Sequence, residues 1–139
     1  MKLILWPIAS VLAAALNGVV ACSASAQESP SPELLQSVAE RLNKLTPMMV
    51  DGETELTSIG AEPGAIVYHY RLINVDASTI PPDRLRAAAQ PAVANRACTN
   101  AGTRRDFLDR GIVMRYSYYD RNRQFITVFD ITVADCQSR

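Results

Sequence analysis

The first two dozen residues constrain this chain more than any other part of it. Lys2 gives a minimal positive start, Leu3 to Leu16 form a largely apolar run, and Asn17-Gly18 ends that run. The run is shorter than the roughly 20 apolar residues that a membrane-spanning helix needs. It therefore predicts a secretory signal peptide that is removed, with a retained anchor as the alternative. We expect the remainder to fold as one small exported domain.

Two cleavage sites compete at the end of this segment. Val19-Val20-Ala21-Cys22 has the pattern of a lipobox, in which the chain is cut before Cys22 and that cysteine is lipidated. Ala24-Ser25-Ala26 fits ordinary signal peptidase, which would cut before Gln27. We expect the second cut and a periplasmic protein; the first would give an outer-membrane lipoprotein. The boundaries are a signal peptide over 1–26 and a domain over 27–139 for the second cut, or a signal peptide over 1–21 for the first.

The cysteine count fits export. Cys22 is removed or lipidated under either cut, which leaves Cys98 and Cys136 as a pair. In an oxidising compartment we expect this pair to form a disulfide; two unrelated buried thiols are the alternative. No C-x-x-C motif is present, so neither a redox motif nor a zinc ribbon is indicated.

The hydrophobic pattern beyond residue 27 switches between helical and strand-like spacing. Ser31 can cap a helix that begins at Pro32, and Thr46-Pro47 ends it. Two late strands flank a spacer of turn residues, 120–123, which predicts a hairpin. The predicted helices cover 32–45, 81–98 with a break or kink at Pro91, and 104–110 behind a Thr103 cap; the predicted strands cover 54–59, 65–75, 112–119 and 124–133.

The order of these elements is α-β-β-α-(α)-β-β, which predicts an α+β fold. We expect a four-stranded antiparallel sheet with the helices packed on one face. The clearest strand is AIVYHYRLINV, in which His69 lies on the partly solvated face. The opposite face should be core and carries Ile66, Tyr68, Tyr70 and Leu72.

Aromatic residues recur at strand positions. Tyr68, Tyr70, Tyr116, Tyr118 and Tyr119 could form a cross-strand cluster. We expect this cluster to be core; an exposed aromatic platform for a partner is the alternative, with Tyr119 the best candidate for exposure. The pair Met48-Met49 is expected to fill an irregular gap in the core.

No constellation of residues points to catalysis or metal binding. His69 is the only histidine, no G-x-S-x-G motif occurs, and Asp51-Gly52-Glu53-Thr54-Glu55 lacks the spacing of a calcium loop. We expect His69 to be a structural or surface residue. The sequence predicts no catalytic residue, no metal site and no cofactor, and hence a protein that is not an enzyme.

Charge is distributed unevenly although its net value is zero. Residues 28–83 carry nine acidic and three basic side chains, whereas residues 84–139 carry ten arginines and five acidic side chains. The halves could neutralise each other in one fold; the alternative is a basic surface for an acidic partner. A nucleic acid is not expected for an exported chain of this charge. The residues expected to contact a partner are Arg104, Arg105, Tyr119, Arg121 and Arg123.

Four stretches together span most of the mature chain and resemble one group of proteins. They are LNKLTPMMVDGETEL (42–56), YHYRL (68–72), RACTNAGTRRDFLDRGIVMRYSYYD (96–120) and FDITVADC (129–136). This pattern resembles a group of small exported bacterial proteins of unknown function. The resemblance implies a compact exported domain with this cysteine pair and implies no catalytic residues. The helix-on-sheet layout also looks like that of small secretion pilot lipoproteins and periplasmic inhibitor proteins, an analogy of fold alone.

These observations favour a non-catalytic protein-binding module in the periplasm or at the outer membrane. The expected partner is another envelope or secreted protein, and the expected role is that of a secretion or envelope accessory, or of an inhibitor or immunity protein. Contact with a membrane is expected only through a lipid anchor on Cys22. The alternative is a small-ligand-binding domain with a pocket between helices and sheet, followed by a small enzyme.

Overall fold

A computed structural model of the protein describes residues 29–137. The predicted signal peptide, both cleavage sites and Cys22 lie outside these residues. Between residues 29 and 137, no helix combines the length and the apolar character that crossing a membrane requires.

The α-helices are α1 (Pro32–Asn43), α2 (Pro82–Thr99) and α3 (Ala101–Asp106). α1 begins where the sequence predicts, because the Oγ of Ser31 accepts a hydrogen bond from the Leu34 N–H at 3.3 Å. Leu35 and Ala39 are its buried residues. They are four positions apart and therefore lie on the same face of the helix.

α2 covers the predicted stretch and continues past Pro91, so the break allowed for at that proline does not occur. A proline removes one helical hydrogen bond, but tertiary packing can outweigh that loss. Here Ala94 and Ala97 are both buried on the turns that follow the proline. Their packing against the sheet stabilises the second half of the helix.

α3 differs from its prediction, because its cap is Asn100 rather than Thr103. The side-chain oxygen of Asn100 accepts a hydrogen bond from the Thr103 N–H at 2.8 Å. After α3 the chain forms a 3₁₀ turn, Leu108–Arg110, which ends at Gly111 with a φ of 75°. Glycine adopts this left-handed conformation without steric cost, so the helical region stops there.

Five strands form one sheet. They are β1 (Met48–Met49), β2 (Thr54–Glu62), β3 (Ala65–Leu72), β4 (Val113–Tyr119) and β5 (Phe125–Ile131). They follow one another across the sheet in chain order, and all neighbours are antiparallel except β3 and β4, which are parallel. The prediction of a four-stranded antiparallel sheet is therefore wrong.

The crossover between the two hairpins explains the parallel pair. β2–β3 and β4–β5 are antiparallel pairs joined by short turns. Between them the chain returns through α2 and α3 and enters β4 beside the start of β3, so the two strands run in one direction. Local patterns predict each hairpin but not which of their strands become neighbours. β1 is two residues long, too short for an alternating pattern.

The helices cover one face of the sheet and form two apolar clusters there. Leu35 of α1 packs in a cluster with Ile66 of β3. Ala97 of α2 packs in a second cluster with Met114 and Tyr116 of β4. The register pairs Ile66 with Met114, so both clusters lie on the same side of the sheet.

The disulfide joins the helical layer to the end of the sheet. Cys98, near the end of α2, is bonded to Cys136 in a 3₁₀ turn, Val133–Cys136, that follows β5. The two Cα atoms are 5.4 Å apart. The predicted pairing is confirmed.

Side chains cap part of the strand backbone at both edges of the sheet. β1 pairs with only two residues of β2, and farther along β2 the side-chain amide of Asn43 donates to the Ile59 carbonyl oxygen and accepts from the Ile59 N–H, at 2.8 Å each. At the other edge α2 packs against β5, and the Nη2 of Arg86 donates a hydrogen bond to the Val128 carbonyl oxygen at 2.9 Å. A carbonyl near the middle of β5 is therefore occupied by a side chain.

A fully buried carboxylate ties the β4–β5 turn to the segment that follows β3. Asp120 accepts hydrogen bonds from the backbone N–H groups of Ala77 at 3.0 Å, and of Asn122 and Gln124 at 2.8 Å each. Burial raises the pKa of the Asp120 carboxyl, but these backbone donors outweigh it and hold the pKa below its ordinary value. The charged carboxylate is thus the form that the folded protein favours.

We expect Asp120→Asn to lower the melting temperature at neutral pH by roughly 5 °C, because an NH₂ group replaces an accepting oxygen. The depressed folded-state pKa makes the carboxylate stabilising above the unfolded-state value of about 4, and that contribution disappears as pH falls through the folded-state pKa. The difference in melting temperature between wild type and variant should be smaller at about pH 2.5 than at neutral pH. Thermal unfolding at these two pH values measures the difference, and an equal difference at both would contradict this account.

Candidate functional site

The face of the sheet that carries the helices also holds a groove. It encloses about 400 Å³ between α2 on one side and the β1–β2 connection on the other, with β3 and β4 as its floor. The α2 wall presents Leu85 and Val93, and the opposite wall presents Val50. The groove is therefore bordered by apolar side chains.

Four tyrosine rings form the floor of this groove. Tyr68 and Tyr116 stack with ring centroids 5.1 Å apart, and Tyr70 and Tyr118 stack at 5.4 Å. Both pairs are direct partners in the parallel register of β3 and β4. The stack continues from Tyr116 to Phe129 of β5 at 5.7 Å. The sequence placed these tyrosines on one face, and the register brings them into contact.

The tyrosine hydroxyls have no intramolecular partners. Among residues 29–137, no hydrogen bond joins the hydroxyl of Tyr68, Tyr70, Tyr116 or Tyr118 to another residue, and no fully enclosed side-chain oxygen lacks a partner. The four hydroxyl oxygens therefore reach the open groove. Burial raises the pKa of Tyr118 to about 12 and raises those of the other three as well. All four hydroxyls are neutral at physiological pH and can donate or accept a hydrogen bond.

Opposite charges stand on the two walls of the groove. Arg96 is exposed on α2, and Asp51 lies across from it on the β1–β2 connection. Asp51 accepts the backbone N–H groups of Glu53 and Thr54 at 2.8 Å each. The hydrogen bond from Glu53 is the main reason that the pKa of Asp51 lies below its ordinary value. The groove thus has an apolar aromatic floor and a charged rim.

An apolar segment is exposed beside the groove. Leu45, Met48, Met49 and Val50 have 65%, 42%, 47% and 36% of their surface exposed, respectively. The expectation that Met48-Met49 fills a gap in the core is wrong, because β1 lies at the sheet edge and both side chains are exposed there. Contiguous exposed apolar side chains of this kind mark interaction surfaces.

The residues predicted to contact a partner do not form one cluster. Arg104 and Arg105 lie on α3, where they pair with Asp109 at 3.4 Å and Asp106 at 2.8 Å. α3 precedes the start of β4, whereas the other three follow or end that strand: Tyr119, Arg121 and Arg123. Their role in partner contact stays a prediction.

The opposite face of the sheet is polar, and the helices of residues 29–137 pack on the other face. Arg115 of β4 pairs with Asp130 at 2.8 Å and also with Glu62, while Arg71 pairs with Glu55 at 2.8 Å. Cross-strand pairs of this kind are typical of a solvated sheet face. Two pairs join a second-half arginine to a first-half acid, Arg115 with Glu62 and Arg121 with Asp76, so the two halves neutralise each other in part within the fold.

His69 lies half-buried on this polar face, as the strand pattern predicts. Its imidazole makes no hydrogen bond or ion pair with the described part of the chain, and burial lowers the pKa of His69. No Ser/His/Asp arrangement forms around it within residues 29–137. In the same range, no three His, Cys, Asp or Glu side chains are arranged to hold a metal ion.

Sequence reasoning offered a pocket between helices and sheet only as an alternative and did not identify the residues that line it. The alternation of residues along each strand showed that these tyrosines share a face. The groove itself depends on the parallel crossover, which sets α2 apart from the β1–β2 connection. The best sequence indication was the spacing Tyr-x-Tyr in two strands, Tyr68 with Tyr70 and Tyr116 with Tyr118.

Comparison of the sequence with known proteins gives one distant curated relative. No family model matches the chain. The chain is 28% identical to Protein K of Escherichia coli over 92 residues, which are 63% of this chain and 48% of that protein. The chain thus spans about half the length of this relative.

Three solved structures have a similar fold. EpsS, the pilotin of the Vibrio vulnificus type 2 secretion system, aligns with a TM-score of 0.65 and 20% identity over 78% of this chain and 93% of its own. The Vibrio cholerae type II secretion system pilotin AspS aligns at 0.60 and 17%, over 76% and 91%. PA3611 of Pseudomonas aeruginosa aligns at 0.61 and 20%, also over 76% and 91%. At these identities the likeness establishes a shared fold, and the chain has the α+β fold of these proteins.

Proposed function

We propose that the protein is a non-catalytic accessory of an envelope secretion system and that it binds a partner protein in the tyrosine-floored groove. The observation that carries the proposal is the groove of about 400 Å³ lined by four tyrosine hydroxyls that have no hydrogen-bond partner within residues 29–137. Tyrosine is enriched at protein interfaces because its rigid ring supplies contact area and its hydroxyl supplies a hydrogen bond. The fold shared with the secretion pilotins EpsS and AspS supports the role.

The chemistry of the groove favours an amphipathic peptide segment as its occupant. Apolar side chains of the partner would pack on the partly exposed rings of Tyr68 and Tyr70, and its polar groups would pair with the tyrosine hydroxyls. The charges of Arg96 and Asp51 at the rim would set the orientation of the segment. The exposed apolar side chains from Leu45 to Val50 extend the contact beyond the groove.

The proposal places the protein in the periplasm or on the membrane that bounds it. A cut before Gln27 gives the soluble form that the sequence favours. A lipid on Cys22 would hold the same domain at the outer membrane, joined by the short polar segment QESPSP over 27–32. Either form leaves the groove free to meet an envelope protein.

Site-specific photo-crosslinking tests the proposal in cells that make the full chain. Ala92 lies on the groove wall of α2, whereas Ala87 is also exposed but lies about 140° away around the helix and does not line the groove. A photo-crosslinking amino acid at position 92 should capture a component of a secretion apparatus, identified by mass spectrometry, while the same group at position 87 should not. With that partner purified, Ala92→Trp should weaken binding at least about tenfold, because the indole fills the groove.

Ala87→Trp is the matched control, since it adds the same indole to another face of the same helix. It should leave affinity unchanged. Capture at position 87 alone would contradict binding in the groove. Capture at position 92 of proteins with no part in secretion would overturn the proposed role.

The volume of the groove also favours a second candidate, a small apolar ligand. A space of about 400 Å³ lies within the range of small-molecule sites. An organic molecule retained by the purified wild-type protein and absent from Ala92→Trp, with no protein captured at position 92, would support this candidate instead.

A further inference from the structure

The polar face of the sheet, opposite the groove, holds a separate pocket of about 380 Å³ near the end of β4. It is lined by Thr57, Ser58, His69, Arg71, Tyr119 and Arg123. We propose that this pocket binds the oxyanion of a small organic acid, a carboxylate or a phosphate attached to an aromatic or apolar group. The site is independent of the proposed function, because its residues and those of the groove project from opposite faces of β3 and β4.

Three backbone irregularities bring these side chains to one place. β2 carries a bulge between Leu56 and Ser58, which lies across from His69. β4 and β5 shift register between Tyr118 and Tyr119. Arg123 is the only described non-glycine residue with a positive φ, at 65°. Bulges redirect side chains, and strained residues cluster at ligand sites, so their convergence on a single pocket points to a built site.

The pocket has more hydrogen-bond donors than its own acceptors use. Arg123 forms no ion pair with any acid in the range 29–137. Arg71 directs both its Nε and its Nη2 to a single oxygen, the Oε2 of Glu55, at 2.8 Å, which leaves its other N–H groups available. The hydroxyls of Ser58 and Tyr119 have no hydrogen-bond partner among the described side chains and backbone. An oxyanion is the ligand group that two guanidinium ions and two hydroxyls recognise.

An aromatic wall stands beside these donors and accounts for the organic part of the ligand. The ring centroids of His69 and Tyr119 are 6.0 Å apart, and Tyr119 meets Phe125 edge to face at 5.9 Å. Phe125 keeps 55% of its surface exposed. A planar apolar group attached to the anion could cover these rings, whereas inorganic phosphate could not.

The conformation of Arg123 allows a test that separates binding from folding. A left-handed φ favours glycine, so Arg123→Gly should keep or raise the melting temperature while it removes the guanidinium. Arg121→Gln is the matched control: it removes a guanidinium from the same turn, but one that pairs with Asp76 at 3.3 Å and does not line the pocket. Both variants lower the net charge by one, so a nonspecific charge effect would act on both alike.

The experiment is titration of the exported, disulfide-bonded protein with phenyl phosphate, benzoate and the neutral probe benzyl alcohol, followed by NMR shifts of the His69 and Tyr119 rings. We expect saturable binding of phenyl phosphate or benzoate below about 50 mM, with the tighter probe identifying the oxyanion. Arg123→Gly should weaken it at least about fivefold and Arg121→Gln should not. Equal binding of benzyl alcohol, equal loss in both variants, or no saturation by either anion would overturn the proposal.

Discussion

Loss of the Cys98–Cys136 disulfide is expected to lower the free energy of unfolding by about 3–4 kcal/mol, a large share of the stability of a domain this small. The two cysteines are 38 positions apart, so the bond restricts a long loop of the unfolded chain. The loop contains all of α3 and both β4 and β5. Urea unfolding of the double variant Cys98→Ser/Cys136→Ser measures the loss against wild type.

A reductant supplies the control for this prediction. Wild type in the presence of reductant should match the double variant, and the variant should not respond to reductant. Coincident unfolding curves for oxidised and reduced wild type would show that the bond does not stabilise the fold. Because Cys98 lies near the end of α2, the variant should also weaken binding in the groove that α2 borders.

Removal of the central ring from the groove floor is expected to lower the free energy of unfolding by an amount similar to that for loss of the disulfide. Tyr116 is buried and stacks on Tyr68 at 5.1 Å, on Tyr70 at 5.9 Å and on Phe129 at 5.7 Å. Tyr116→Ala should lower the free energy of unfolding by about 3–5 kcal/mol, because it leaves a cavity and removes three aromatic contacts. Chemical denaturation measures this loss.

Tyr116→Phe separates the ring from its hydroxyl. The ring keeps its packing, and the hydroxyl has no hydrogen-bond partner within the described chain, so stability should change by less than about 0.5 kcal/mol. The same variant should bind the groove partner more weakly, since one hydrogen-bonding group is missing. A large loss of stability in Tyr116→Phe would mean that the hydroxyl has a structural role and is not reserved for a ligand.

Local sequence patterns predicted the parts of the fold that local interactions determine. The cap at Ser31, the hairpin around 120–123 and the alternation of Tyr68 with His69 each depend on residues close in sequence. The disulfide was predicted from cysteine number and compartment. Each of these features depends only on residues close in sequence or on the number of cysteines, and each is confirmed.

The parts that failed depend on contacts between distant segments. Nothing in either hairpin indicates that β3 and β4 will be neighbours, so the parallel pair was not foreseen, and a pocket between helices and sheet was only an alternative with no residues assigned to it. Likewise, the charge pattern could not reveal that Arg104 and Arg105 pair with nearby acids while Arg123 has none within the described chain. Exposure of Met48 and Met49 follows from their place at the sheet edge, which only the assembled sheet determines.

Side chains that cap strand backbone also bear on how copies of the domain meet at high concentration. An open strand edge is where two copies of a protein join by strand addition and begin to aggregate. Here the side-chain amide of Asn43 occupies both backbone groups of Ile59 at one edge, and Arg86 occupies a carbonyl in the middle of the other. We expect these contacts to interrupt strand addition at both edges, so that the domain meets a partner through side chains rather than through backbone.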